Sequence, residues 1–163
     1  MMVGFSTLAL YLPAQVTAVG HVTAEVVSIL TATETAQLSF GQFSPETRGG
    51  EIILSPEGTR SATGTVNVIG EVHNAGTFYV SGNADSFISI QLPSGPTTLT
   101  NSASSGTMLV TNWTSDPPQQ HSVAIPRNGH QPVNVGATLI VGNIRDNPVG
   151  MYAGTYNITF NYN

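Results

Sequence analysis

The sequence predicts an all-β chain folded as one β-sandwich, and three observations predict it. Apolar and polar residues alternate with period two in segment after segment. No stretch keeps the helical period with helix-forming residues for more than a turn or two. Gly, Pro, Asn and Asp punctuate the alternation at short intervals, and many short strands without helices between them stack face to face. With 163 residues the chain is long enough for one domain and a sizeable core.

The expected strands, in chain order, cover residues 21–30, 36–41, 51–55, 63–72, 76–82, 86–92, 106–112, 121–125, 137–143 and 152–162. Between them stand Gly49-Gly50, Pro56-Glu57-Gly58, Asn74-Ala75-Gly76, Pro93 to Pro96, Asp116-Pro117-Pro118, Asn128-Gly129 and Asp146-Asn147-Pro148. These residue types supply positive or preset φ for turns. Within the expected strands, Val66 and Val68 share one face, with Thr65 and Asn67 on the other. Ile88, Ile90 and Leu92 form a second apolar row. Trp113, the only tryptophan, reads first as a core anchor, with a surface binding platform as the alternative.

Composition narrows the function. Only 8% of residues are charged, the net charge is −5, and all four basic residues are arginines. They are scattered, so no basic stripe exists to meet phosphates, and nucleic-acid binding is excluded as an expectation. Without cysteine there is no disulfide, no thiolate metal site and no cysteine nucleophile. His21, His73, His121 and His130 are not at metal-ligand spacing. The nine acidic residues are dispersed, and no serine sits in a nucleophile elbow. The Asx residues around Asp85 and around Asn143-Asp146-Asn147 read as turn formers rather than a calcium loop. The expectation is a protein that is not an enzyme and needs no cofactor or metal.

Residues 1–18 read as a signal peptide that lacks its basic start, with a small-residue cleavage site at Val16-Thr17-Ala18. That leaves a single domain over residues 19–163 with an extension at about 19–30, exported through the periplasm to the cell surface. The apolar run is too short to span a bilayer, and no other segment is a transmembrane candidate.

The two ends carry the strongest pattern. Tyr152, Gly154, Tyr156, Ile158, Phe160 and Tyr162 alternate with Ala153, Thr155, Asn157, Thr159 and Asn161, so the sequence ends on a strand. At the other end Val22, Ala24, Val26, Ser28 and Leu30 share a face, while Thr23 and Glu25 point away. A bulge near Val27 would let Ile29 follow. This leading strand could pair with its own sheet or complete the sheet of another copy.

Four stretches resemble the domain of unknown function 4402 family, exported bacterial proteins similar in pattern to spore coat protein U and the archaic chaperone-usher pilins. They are Leu38-Ser39-Phe40-Gly41; Gly49-Gly50 through Ile53, Ser55-Pro56 and Gly58-Thr59-Arg60 to Gly64; Val135 to Leu139; and Gly150 to Tyr156. The resemblance implies an immunoglobulin-like, pilin-like Greek-key sandwich completed by a donated strand. It further implies a fimbrial subunit whose partners are identical copies in a filament, a periplasmic chaperone and an outer-membrane usher. Pilins of this kind end in an alternating strand with a penultimate tyrosine and a glycine about a dozen residues earlier. Tyr162 and Gly150 match those places, with Tyr156, Ile158 and Phe160 between them as the strand a chaperone reads. Val22, Ala24, Val26, Ser28 and Leu30 match the donor strand. Many such pilins carry a cysteine pair that is absent here. The alternative is a self-contained secreted sandwich that binds a glycan or cell-surface ligand through an aromatic patch such as Trp113 with Tyr79.

Overall fold

A computed structural model describes residues 15–163. Most of the signal-peptide expectation, residues 1–14, lies outside the described residues. All regular structure among the described residues is β. The strands are β1 Thr31–Ala36, β2 Gln42–Leu54, β3 Arg60–Ile69, β4 Gly76–Ser81, β5 Phe87–Gln91 and β6 Thr97–Asn101. They continue with β7 Thr107–Asp116, β8 Val123–Ala124, β9 His130–Val141, β10 Tyr152–Ala153 and β11 Thr159–Tyr162.

Two sheets form a sandwich-like arrangement. The larger has eight strands in the order β1-β4-β9-β7-β6-β10, with β2 joined to β9 and β3 joined to β2; the smaller is β11-β5-β8. The long central strand β9 organises the larger sheet by dividing one edge between two neighbours. Its first half, His130–Val135, pairs with β4, and its second half, Ala137–Val141, pairs with β2. The apolar residues follow the same division. Val80, Val133 and Val135 pack against Ile88, Ile90, Leu92, Val123 and Ile125 of the smaller sheet and its loops. Phe40, Ile52, Leu54, Val66, Met108, Val110, Leu139 and Val141 form a second cluster toward the other end. Trp113 touches both clusters from β7, as a core anchor should.

Several expected strands change at their boundaries. The 36–41 strand is reduced to an isolated Ser39–Asn74 bridge, because the chain turns at Gly41 (φ +75°) to enter β2. Strand β6 was missed, since Thr97-Thr98-Leu99-Thr100 offers one apolar residue and follows a Pro-Ser-Gly-Pro turn. Strand β9 starts seven residues before the expected 137, across a proline the ladder tolerates at Tyr79↔Pro132. The largest correction concerns 21–30. No strand forms there, and β1 begins only at Thr31. A lone strand gains its ladder hydrogen bonds only from a paired strand, and among the described residues none pairs with this segment.

Candidate functional site

The C-terminal segment explains the shape of the site. Tyr152–Ala153 pair with Asn101 and Thr100 of β6, whereas Thr159–Tyr162 pair with Gln91 back to Ile88 of β5. The chain therefore passes from one sheet to the other, and Gly154 to Ile158 belong to no strand ladder. β10 and β11 are both terminal in their sheets, so the far edge of the whole segment is unpaired among the described residues.

A second open edge lies opposite. Gln42–Pro45 of β2 pair with Val66–Ile69 of β3 on one side, but the β2–β9 ladder covers only Gly50–Leu54. Between these two edges runs a groove of about 1240 Å³. One wall is residues 37–45, the other 147–156, and Leu99, Met108, Val110 and Leu139 line its floor. Two unpaired backbone edges above an apolar floor offer what an added β-strand uses: ladder hydrogen bonds and alternate side-chain pockets.

The first wall is fixed by a residue that sequence reasoning quoted but gave no role. The Arg60 guanidinium donates from Nη1 to the Phe40 carbonyl at 3.0 Å and from Nη2 to the Gly70 carbonyl. Gly41 turns between them so tightly that a Cβ would lie 2.2 Å from the Val72 carbonyl oxygen. The opposite wall is held by Asn101, whose side-chain amide donates to the Pro148 carbonyl at 3.1 Å. Gly150 packs directly on that side chain, where a Cβ would come within 2.4 Å of Oδ1. This contact supplies a packing reason for Gly150.

At one end of the groove Trp113 and Tyr156 stack with ring centroids 4.6 Å apart. Trp113 Nε1 and the Tyr156 hydroxyl are closed off from solvent, and neither has a hydrogen-bond partner. Leaving such a group unmade costs about 1–3 kcal/mol. Burial pushes the Tyr156 phenol up to about 12, with the nearby Glu34 carboxylate adding to the shift. Tyr79, paired with Trp113 in the binding-module alternative, stacks instead on His130 at 5.5 Å.

The remaining C-terminal residues lie where the alternation put them. Tyr156, Ile158, Phe160 and Tyr162 pack on the core cluster shared with β5, and Phe78 meets Tyr156 edge-on at 6.1 Å. The Tyr162 hydroxyl accepts from the Asn83 amide at 2.7 Å and donates to the Ser28 carbonyl at 3.1 Å.

The leading residues divide in two. Leu30 packs on the molecule's own core and reaches toward Gly82, unlike the other residues of its expected face. Val27 lies beside Phe87 and Tyr162. The rest of the segment before Leu30 is bare, with Val22 and Val26 each 97% exposed, and Ala24 and Ser28 exposed as well.

No group of three or more His, Cys, Asp or Glu side chains that could hold a metal exists among the described residues. Asn143 behaves as a turn former, its Oδ1 accepting the Arg145 and Asp146 amides at 2.9 and 3.1 Å. Among the described residues no helix is long and apolar enough to cross a membrane.

No curated protein and no solved structure matches the chain. One family model does match, over residues 30–162, from the residue where the bare segment ends to the last residue of β11 and beyond every wall of the groove. The chain belongs to the family described as "Domain of unknown function (DUF4402)".

Proposed function

We propose that the protein is the structural subunit of a secreted, pilus-like surface fibre, in which the leading segment of one copy fills the groove of the next. The observation that carries this reading is that Leu30, where the tail begins, meets Gly82 just past one end of β4, whereas the groove residues Leu38 and Tyr156 meet Gly76 at its other end. Leu30, Gly82 and Tyr162 mark one end; Leu38, Gly76 and Tyr156 lie further along. The groove then continues toward Pro45, Ile144 and Gly150, where the Ile144 amide donates to the Glu46 carbonyl. A tail that leaves one end cannot enter its own groove without reversing at Leu30. Donated to a neighbour, it makes a head-to-tail contact that does not close, and such contacts build filaments.

The resemblance to chaperone-usher pilins adds a periplasmic chaperone and an outer-membrane usher as partners that handle the subunit while its groove is open.

The test compares the chain starting at Val19 with a variant lacking residues 19–26. These residues touch little of the body, so the variant keeps the contacts of Val27, Ser28 and Leu30. The longer protein is expected to form oligomers that appear as filaments by negative-stain microscopy, and the variant to stay monomeric. Adding a synthetic peptide of residues 19–26 to the variant should raise its Tm. At a hundredfold excess over Kd, ligand binding stabilises by about 2.7 kcal/mol, or roughly 5–10 °C for a chain of this size. A stable monomer from the longer protein, with no Tm shift on adding peptide to the variant, would overturn the proposal.

A further inference from the structure

Resting on the strand-donation reading, we infer that successive copies abut end to end. The loop 142–150 of the receiving copy seats on an apolar depression around Val27, Phe87 and Tyr162 of the donating copy.

The tail has almost no slack, because its root is fixed on its own body. Leu30 packs on the core, and the Tyr162 hydroxyl donates to the Ser28 carbonyl at 3.1 Å while accepting from the Asn83 amide. With the chain starting at Val19, the eight residues 19–26 remain ahead of Val27. The groove wall needs seven of them to run from Gly150 to Tyr156, and that wall begins earlier still, at Asn147. A strand that fills the groove therefore leaves no length over for a free linker. From Ser28 to Val26 are two extended steps of about 3.3–3.6 Å, a reach of about 7 Å. Packed sheets stand about 10 Å apart, so two bodies held at that spacing touch through their side chains.

Both faces that this short reach brings together are apolar. The loop after β9 closes the Gly150 end of the groove, where Val149 is 89% exposed and Ile144 and Met151 are exposed as well. The start of β9 marks the opposite end: His130 pairs with Ser81, and the next residue, Gly82, meets Leu30 and Tyr162. Beside Tyr162 lies a depression of about 280 Å³ between Val27 and Phe87, with Phe87 53% exposed. Apolar patches at both ends of one axis, joined by so short a tether, are buried together by a second copy. One end meets the other end, so the contact repeats from copy to copy and stiffens the filament.

The chain has no cysteine, so two introduced thiols report one proximity. In the protein starting at Val19, Phe87→Cys together with Val149→Cys should give a covalent ladder of copies on a denaturing gel once a short bismaleimide joins the thiols. Either substitution alone should stop at dimers. Tyr79→Cys with Val149→Cys, which pairs an exposed flank of β4 with an end, should give no ladder. Phe87→Glu should raise the protein concentration needed for filaments about tenfold. It should leave the affinity of the 19–26 peptide for the variant lacking those residues unchanged, because Phe87 lies outside the groove. A substitution that acted only by loosening the fold would weaken both. Filaments that form without a ladder, with the same threshold in Phe87→Glu, overturn the end-to-end contact and leave strand donation standing. No filaments from the unaltered protein, with no Tm shift on adding peptide, overturn both.

Discussion

Tyr156 shows how much one residue can carry at this site. Its ring packs between Trp113 and Phe78 while its hydroxyl stays unpaired. Burial holds the neutral phenol, pushing its pKa up to about 12 from the ordinary value near 10. A raised folded pKa means the contribution to stability is fully present below the unfolded pKa and is lost as pH rises through the folded one. Stability should therefore fall between about pH 10 and 12, where the unfolded chain ionises this phenol first. Tyr156→Phe should flatten that part of a denaturant midpoint-versus-pH curve. A wild-type curve and a variant curve with the same slope there would contradict the assignment. Gly150 is decided at the same scale. Gly150→Ala drives a methyl into Asn101, whose amide holds the Pro148 carbonyl, and should cost about 1–3 kcal/mol by urea denaturation.

Elements answer a different question, which is how strongly period two commits a side chain. Along β11 the alternation Thr159-Phe160-Asn161-Tyr162 appears directly as exposed and half-buried residues. Phe160 packs on the core beside Phe78, 6.2 Å between ring centroids. Phe160→Ala should lose about 3 kcal/mol, the low end of the range for a buried phenylalanine, because the ring is only half covered. Asn161→Ala, one position along, should stay within about 0.5 kcal/mol. Equal losses at the two positions would contradict the observed faces. β5 behaves the same way, with Ile88 and Ile90 buried and Ser89 between them partly covered. The pattern was less informative for β3, where Val66 is buried but Val68 on the same face is 41% exposed. A period fixes which side a residue takes but not whether anything stands on that side.

At the scale of the molecule, the proposed strand donation joins the groove to the tail. A sandwich whose last segment switches sheets leaves an edge open at Gly154 to Ile158, and β2 leaves another at Gln42–Pro45. Arg60 props the second edge by holding the Phe40 and Gly70 carbonyls. Arg60→Met should weaken the 19–26 peptide several-fold by releasing that wall, and Arg60→Lys should recover part of the loss, because lysine offers one donor point where the fork offers two. Isothermal titration would distinguish the three proteins. Equal affinity in all of them would mean the wall holds its shape without the arginine.

Alternation, turn residues and missing helix formers were enough to determine an all-β sandwich and the inward face of the last strand. These are local properties, written in neighbours a few positions apart, and a backbone with period two cannot hide them. The start of β1, the loss of a strand at 21–30 and the anchoring of Leu30 on its own core were decided only in three dimensions. So were the facing of residues 37–45 with 147–156 and the meeting of Trp113 with Tyr156. Each depends on which edge finds a hydrogen-bonding neighbour, and that is settled by contacts between residues far apart in the chain.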